Sequence, residues 1–156
     1  PELSIRLISG VLQEGSIHTT AVIRAVRMHY QPEDFVLLDA PPGTACAAME
    51  TLEGCDFCLL VTEPTPFGLH DLTLICQLVQ LYHIPMGVVL NRSEEQDNEV
   101  EQYCRDQKIP ILMRIPFDRS IALAQGSGHV FSREDPWWNE QFVRLGTECI
   151  RRAGGQ

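Results

Sequence analysis

The chain of 156 residues holds one lysine, Lys108. No apolar run approaches the roughly 18 residues of a membrane span. No glycine-rich loop precedes a lysine, no second cysteine pair matches Cys55 and Cys58, and no low-complexity linker interrupts the sequence. Each absence excludes something. With 12 basic against 21 acidic side chains and a net charge of −9, a nucleic-acid backbone is ruled out as a main partner, because phosphate binding needs clustered cations. A four-thiolate zinc site lacks half of its ligands. Without a membrane span the expectation is a soluble, cytoplasmic protein. The six cysteines, mostly inside apolar or helical patterns, suit free thiols in a reducing compartment better than a disulfide framework.

Four apolar runs stand out: FVLLD at 35–39, FCLLVTE at 57–63, MGVVLN at 86–91 and ILMRIP at 111–116. They are continuous rather than alternating, the pattern of strands buried on both faces. The expected fold is α/β, a parallel sheet flanked by helices, in a single domain spanning 1–156. Helical spacing predicts helices over 20–30, 44–52 and 69–82. Further helices are expected from the acidic stretch at 94–101, over 118–125 and over 136–152. Residues 3–13 read as a short strand or an irregular ribbon. On the last helix, Trp138, Phe142, Leu145 and Cys149 share the predicted core side.

In such sheets ligands bind beyond the carboxyl ends of the strands. Those ends carry Asp39 with Pro42 and Gly43, then Thr62 and Glu63, then Asn91 and Arg92, then Pro116 and Asp118. An aspartate closing an apolar strand suits Mg²⁺ beside a triphosphate. A following glycine lets a backbone N–H approach a phosphate. The alternative for Asp39 is a cap on its own turn.

FVLLDAPPGT (35–44), LLVTEPTPFGLHDL (59–72), VVLNR (88–92) and IPFDRSIALAQGSG (115–128), in this order, resemble the MinD/ParA/Mrp group of ATPases, relatives of the nitrogenase iron protein. The nearest likeness is to the subgroup with an inserted ferredoxin-type iron–sulfur domain. The resemblance implies ATP and Mg²⁺ as ligands and a homodimer closed around them. It implies a P-loop NTPase fold of the SIMIBI type. Asp39 would lie at Mg²⁺ and the Gly43 amide would sense the γ-phosphate, making these two the catalytic switch, with Pro42 in their turn. Asn91 would contact adenine, with Arg92 beside it, and Pro116, Phe117 and Asp118 would line the base. The alternative for Asn91 is a helix or turn cap.

The chain departs from the family at one point that matters. The family's phosphate loop, with its paired lysines, is missing; Lys108 precedes Ile109 and Pro110 and has no glycine loop around it. The resemblance therefore predicts the C-terminal portion of a larger ATPase, unable to hydrolyse ATP alone. Without the phosphate-loop strand, direct pairing of the Asp39 and Leu59 strands is expected, or filling of the gap by another segment. Cys46 stands near a cluster-ligand position of the nitrogenase iron protein, and its alternative is a small buried helix residue. His70 and Asp71 read as a partner contact or a solvated helix start, and Trp137 and Trp138 as a docking patch or core. Three other functions stay open: a non-enzymatic scaffold, an iron–sulfur assembly or carrier module, and a flavodoxin-like phosphate or flavin binder.

Overall fold

Three of the four apolar runs become strands. The computed structural model describes residues 5–12, 19–31, 35–44, 46–93 and 98–154. The chain divides into two compact units, Pro1–Gly54 and Cys55–Gln156, which are taken in turn.

The first unit holds helices α1, Thr19–Arg27, and α2, Cys46–Leu52. Two arginines on α1 tie them together. Arg24 grips the Glu50 carboxylate with both Nε, at 2.7 Å, and Nη2, at 2.8 Å. Arg27 donates to the main-chain carbonyls of Glu50, at 2.6 Å, and Glu53. Those are carbonyls at the end of α2 that the helix leaves without amide partners, and a cation there also opposes the helix dipole. Residues 5–12 form no strand or helix, which matches the irregular-ribbon reading.

FVLLD corrects the expectation. Residues 35–40 carry no strand, and Phe35 and Leu37 are 71% and 82% exposed. An apolar run becomes a buried strand only if backbone partners and a covering layer exist for it. Among the described residues no ladder includes this segment.

In the second unit the chain alternates strand and helix as the periodicity predicts. β1 is Cys58–Thr62, α3 Pro66–Leu81, β2 Met86–Ser93, α4 Glu99–Asp106 and β3 Ile111–Pro116. Then follow α5, Arg119–Gly126, α6, Phe131–Glu134, and α7, Pro136–Ala153. The strands form one parallel sheet in the order β1-β2-β3, with Leu60 opposite Val88 and Leu90 opposite Arg114. Central β2 is buried on both faces: Val88 and Leu90 are 0% exposed and Val89 2%. Successive side chains point to opposite faces. Val89 joins Met113, Trp138 and Leu145 in a core under α7, with Phe131 and Phe142 packed against it. Leu72, Cys76, Val79, Val100 and Cys104 are buried on α3 and α4, which pack against each other, α3 also meeting β1.

Both helix-to-strand turns use one device. After α3, His83 adopts φ 55°, buried Ile84 donates back to the Val79 carbonyl, and Pro85 leads into β2. After α4, Lys108 adopts φ 57°, buried Ile109 donates to the Cys104 carbonyl, and Pro110 leads into β3. This is a left-handed cap with an apolar residue folded back over the helix end, and proline prevents the helix from continuing.

Some boundaries differ from the sequence reading. Thr65 caps α3 by accepting from the Gly68 amide, so the helix starts at Pro66, earlier than hydrophobic spacing showed. Asn98 caps α4, whose start falls within the acidic stretch; 94–97 lie outside the described residues. The one-turn helix α6 has too few residues to show a period.

Truncating a fully buried side chain of the central strand removes its transfer energy and leaves a void in the layer it faces. Leu90→Ala is expected to lower unfolding free energy by about 2–5 kcal/mol in urea titrations followed by circular dichroism. A loss well under about 1 kcal/mol would place Leu90 outside the core.

Candidate functional site at the carboxyl edge of the sheet

The polar residues at the ends of β1, β2 and β3 meet on one edge of the second unit. At the end of β1 the chain folds back on itself. Thr62 Oγ1 donates to the Gly68 carbonyl at 3.0 Å, and the Gly68 amide donates to Thr65 Oγ1 at 3.0 Å. A Cβ on Gly68 would stand 2.1 Å from the Glu63 carbonyl oxygen, so only glycine fits. This packing fixes Glu63 at the sheet edge.

At the end of β2 the backbone turns abruptly. Leu90 is opposite Arg114 but Ser93 is opposite Pro116, so β2 uses one more residue than β3 over this stretch. That is a bulge, and it re-aims a strand's side chains. Arg92 sits within it at φ 53°. His83 and Lys108, the other described non-glycine residues with positive φ, have helix-capping reasons. Arg92 ends no helix. Holding a bulky residue there costs roughly 1–3 kcal/mol, a strain that concentrates at functional sites.

The strained backbone delivers the guanidinium between the two neighbouring strand ends. Arg92 Nη1 lies 3.6 Å from Glu63 Oε1, after β1. Its Cζ lies 4.9 Å from the centroid of the Phe117 ring, after β3. One side chain of the central strand thus spans all three strand ends. Phe117 remains 64% exposed.

Asn91, one residue earlier, is half-buried, and its carboxamide makes no hydrogen bond with any described residue. Among the described residues it caps neither a helix nor a turn. Asp118 does cap: its Oδ1 accepts from the Ser120 amide and hydroxyl, both at 2.7 Å, at the start of α5. Those bonds hold its carboxyl below the ordinary aspartate range. Pro116 closes β3. The structure therefore brings Asn91, Arg92, Pro116, Phe117 and Asp118 to one edge. Glu63, which sequence reading places only at a strand end, joins them through Arg92.

Asp39, Pro42 and Gly43 belong to the first unit. All three are exposed, Gly43 has φ 88°, and the Asp39 carboxylate makes no capping hydrogen bond with a described residue. No group of three or more His, Cys, Asp or Glu side chains with metal-site geometry occurs among the described residues. Cys46 is exposed rather than the buried helix residue considered as its alternative. Cys58 opens β1, and burial pushes its thiol up to about 12. Burial likewise raises Cys76 to about 11. Thiols this reluctant to ionise are poor nucleophiles and poor metal ligands. His70 and Asp71 are exposed at the start of α3, and Trp138 is core while Trp137 is 56% exposed.

No protein-family model matches the chain. It is 35% identical over 95 residues to the uncharacterized protein MJ0579 of Methanocaldococcus jannaschii, a match covering 61% of this chain and 32% of that protein. It is 26% identical over 89 residues to the uncharacterized protein MJ0578 of the same organism, covering 55% of this chain and 32% of that one. The chain thus spans about a third of the length of the curated relatives it matches.

Two titrations check the electrostatics. Asp118 has a lowered folded pKa, so its contribution to stability is present above the unfolded value of about 3.9 and disappears as pH falls through the folded one. Carboxyl-carbon NMR should give Asp118 a midpoint below 3.9 that rises in Ser120→Ala; an unshifted midpoint contradicts the capping bonds. Cys58 is the opposite case: its raised pKa favours folding below about 9, and that contribution is lost as pH rises from there toward about 12. At pH 8 a thiol reagent should modify Cys46 quickly and half-buried Cys58 much more slowly. Rapid native labelling of Cys58, read by peptide mass spectrometry, would refute its burial.

Proposed function

We propose that this chain is the C-terminal portion of a MinD/ParA-like ATP-binding protein and that the carboxyl edge of its sheet holds the nucleotide base. The supporting observation is the Asn91 carboxamide. It stands half-buried and without a hydrogen-bond partner among the described residues, at the end of the central strand of a parallel sheet. A carboxamide both donates and accepts, which suits the edge of an adenine ring. Phe117 and Pro116 offer apolar surface at the end of the neighbouring strand, and Asp118 has a second carboxylate oxygen without a hydrogen bond to a described residue.

In the parent protein, Asp39 serves Mg²⁺ and the Gly43 amide the γ-phosphate, as the family resemblance implies. Hydrolysis there drives a switch coupled to a ferredoxin-type iron–sulfur domain, in a homodimer. The phosphates need a lysine-bearing loop that this chain does not supply. Lys108 caps α4 ahead of β3, at the amino end of the sheet and away from the strand ends where the base sits. The chain alone is expected to bind the base weakly and to leave ATP intact.

Adenosine and ATP titrated into the ¹⁵N-labelled chain should shift the amides of Asn91 to Ser93 and of Phe117, with similar dissociation constants on the order of 1 mM. Asn91→Ala should weaken both by about tenfold, one or two hydrogen bonds' worth. Shifts confined to other residues, or none at all, would overturn the base-site reading. ATP turnover by the purified chain that Asp39→Ala abolishes would overturn the claim that it cannot act alone.

A further inference from the structure

We propose that Arg92 is the residue that makes this site select purines, by forming a stacking floor with Phe117, and that Glu63 is the positioning residue that keeps the floor flat. The inference rests on the base-site reading above and adds a specificity to it.

The geometry carries the step. A guanidinium is planar and delocalised, and it stacks on aromatic faces and on nucleobases alike. Here Arg92 already lies against the Phe117 ring, 4.9 Å from Cζ to centroid. More than half of the Arg92 side chain, 55%, remains open to solvent, as does 64% of Phe117. The pair therefore presents a layered surface at the end of β2, one residue beyond Asn91, whose carboxamide makes no hydrogen bond with a described residue. A flat heterocycle laid on that surface would meet the Asn91 amide along its edge. Stacking grows with the overlapped ring area, so a purine gains more from the floor than a pyrimidine does.

Glu63 explains why the guanidinium rests there. At 3.6 Å the Glu63–Arg92 contact is an ion pair longer than a hydrogen bond, with both side chains substantially exposed. Exposed pairs of this kind add little to stability. What it supplies is direction: the carboxylate, carried on backbone held by the tight turn at Gly68, draws the guanidinium across the central strand end and over the ring. It also offsets the arginine's charge, so the floor attracts a neutral ring rather than acting as a phosphate clamp. The bulge and the left-handed backbone of Arg92 give the side chain its starting point.

The test uses the full 156-residue chain, with adenosine, guanosine, cytidine and uridine as probes in NMR titrations. Arg92→Lys keeps the charge and removes the plane. Glu63→Gln keeps the shape and removes the attraction. Both should leave the melting temperature within a few degrees of wild type. The wild-type chain should favour purine over pyrimidine nucleosides by roughly threefold to tenfold, and both variants should lose that preference mainly through weaker purine binding. Independently of any ligand, the Arg92 Nε–H resonance should show the upfield ring-current shift of a group over an aromatic face. That shift should vanish in Phe117→Leu and shrink in Glu63→Gln. Adenosine binding at Asn91 with no purine preference, or a preference that survives Arg92→Lys, overturns the floor and leaves the base site standing. Loss of preference in Arg92→Lys but not in Glu63→Gln overturns the role of Glu63. No nucleoside binding at all overturns both the floor and the base site beneath it.

Discussion

Burial of β2 on both faces is the constraint from which the second unit follows. Val88 and Leu90 are fully buried and Val89 almost so. A strand in that position has no water for its backbone, so each N–H and C=O must find a partner in β1 or β3. Parallel pairing then forces each strand to return to the same end of the sheet through a helix. Two crossover helices with matching left-handed caps at His83 and Lys108 accomplish this. The same constraint gathers the carboxyl ends of three strands on one edge, where their polar residues meet.

What happens at that edge depends on one local departure from regular structure. Had β2 continued in register beyond Leu90, alternation would have decided where Arg92 points. The bulge opposite Pro116 releases it from that rule, and the positive φ turns it across the strand ends. Glu63 and Phe117 receive it on either side. Two neighbours on the sequence, Asn91 and Arg92, thereby take different tasks: a carboxamide without a hydrogen bond to any described residue, and a bridging cation. Asp118 shows how a residue can satisfy a structural need and keep chemical capacity. One of its oxygens caps α5, while the other makes no bond with a described residue.

The first unit illustrates the opposite outcome. FVLLD is an apolar run like those that became strands, yet it forms no strand and is largely exposed. Hydrophobic runs specify a capacity for burial, and the capacity is realised only where other segments supply the ladder and the cover. The helices of this unit rest instead on the arginines of α1, which neutralise Glu50 and satisfy the last carbonyls around α2.

The sequence by itself determined the α/β class, the parallel order of alternating elements in the second unit, and the candidate residues at its strand ends. Those follow from period, continuity of apolar runs and turn residues, all local properties. ILMRIP was legible to the residue, and Trp138 and Leu145 were legible as core from their spacing. Only the tertiary structure decided that FVLLD forms no strand, that Arg92 spans the site, and that Glu63 belongs to it. Each of these depends on what stands opposite a residue in space. Register, bulges and partners across strands are set by the meeting of distant segments, and no window of sequence contains them.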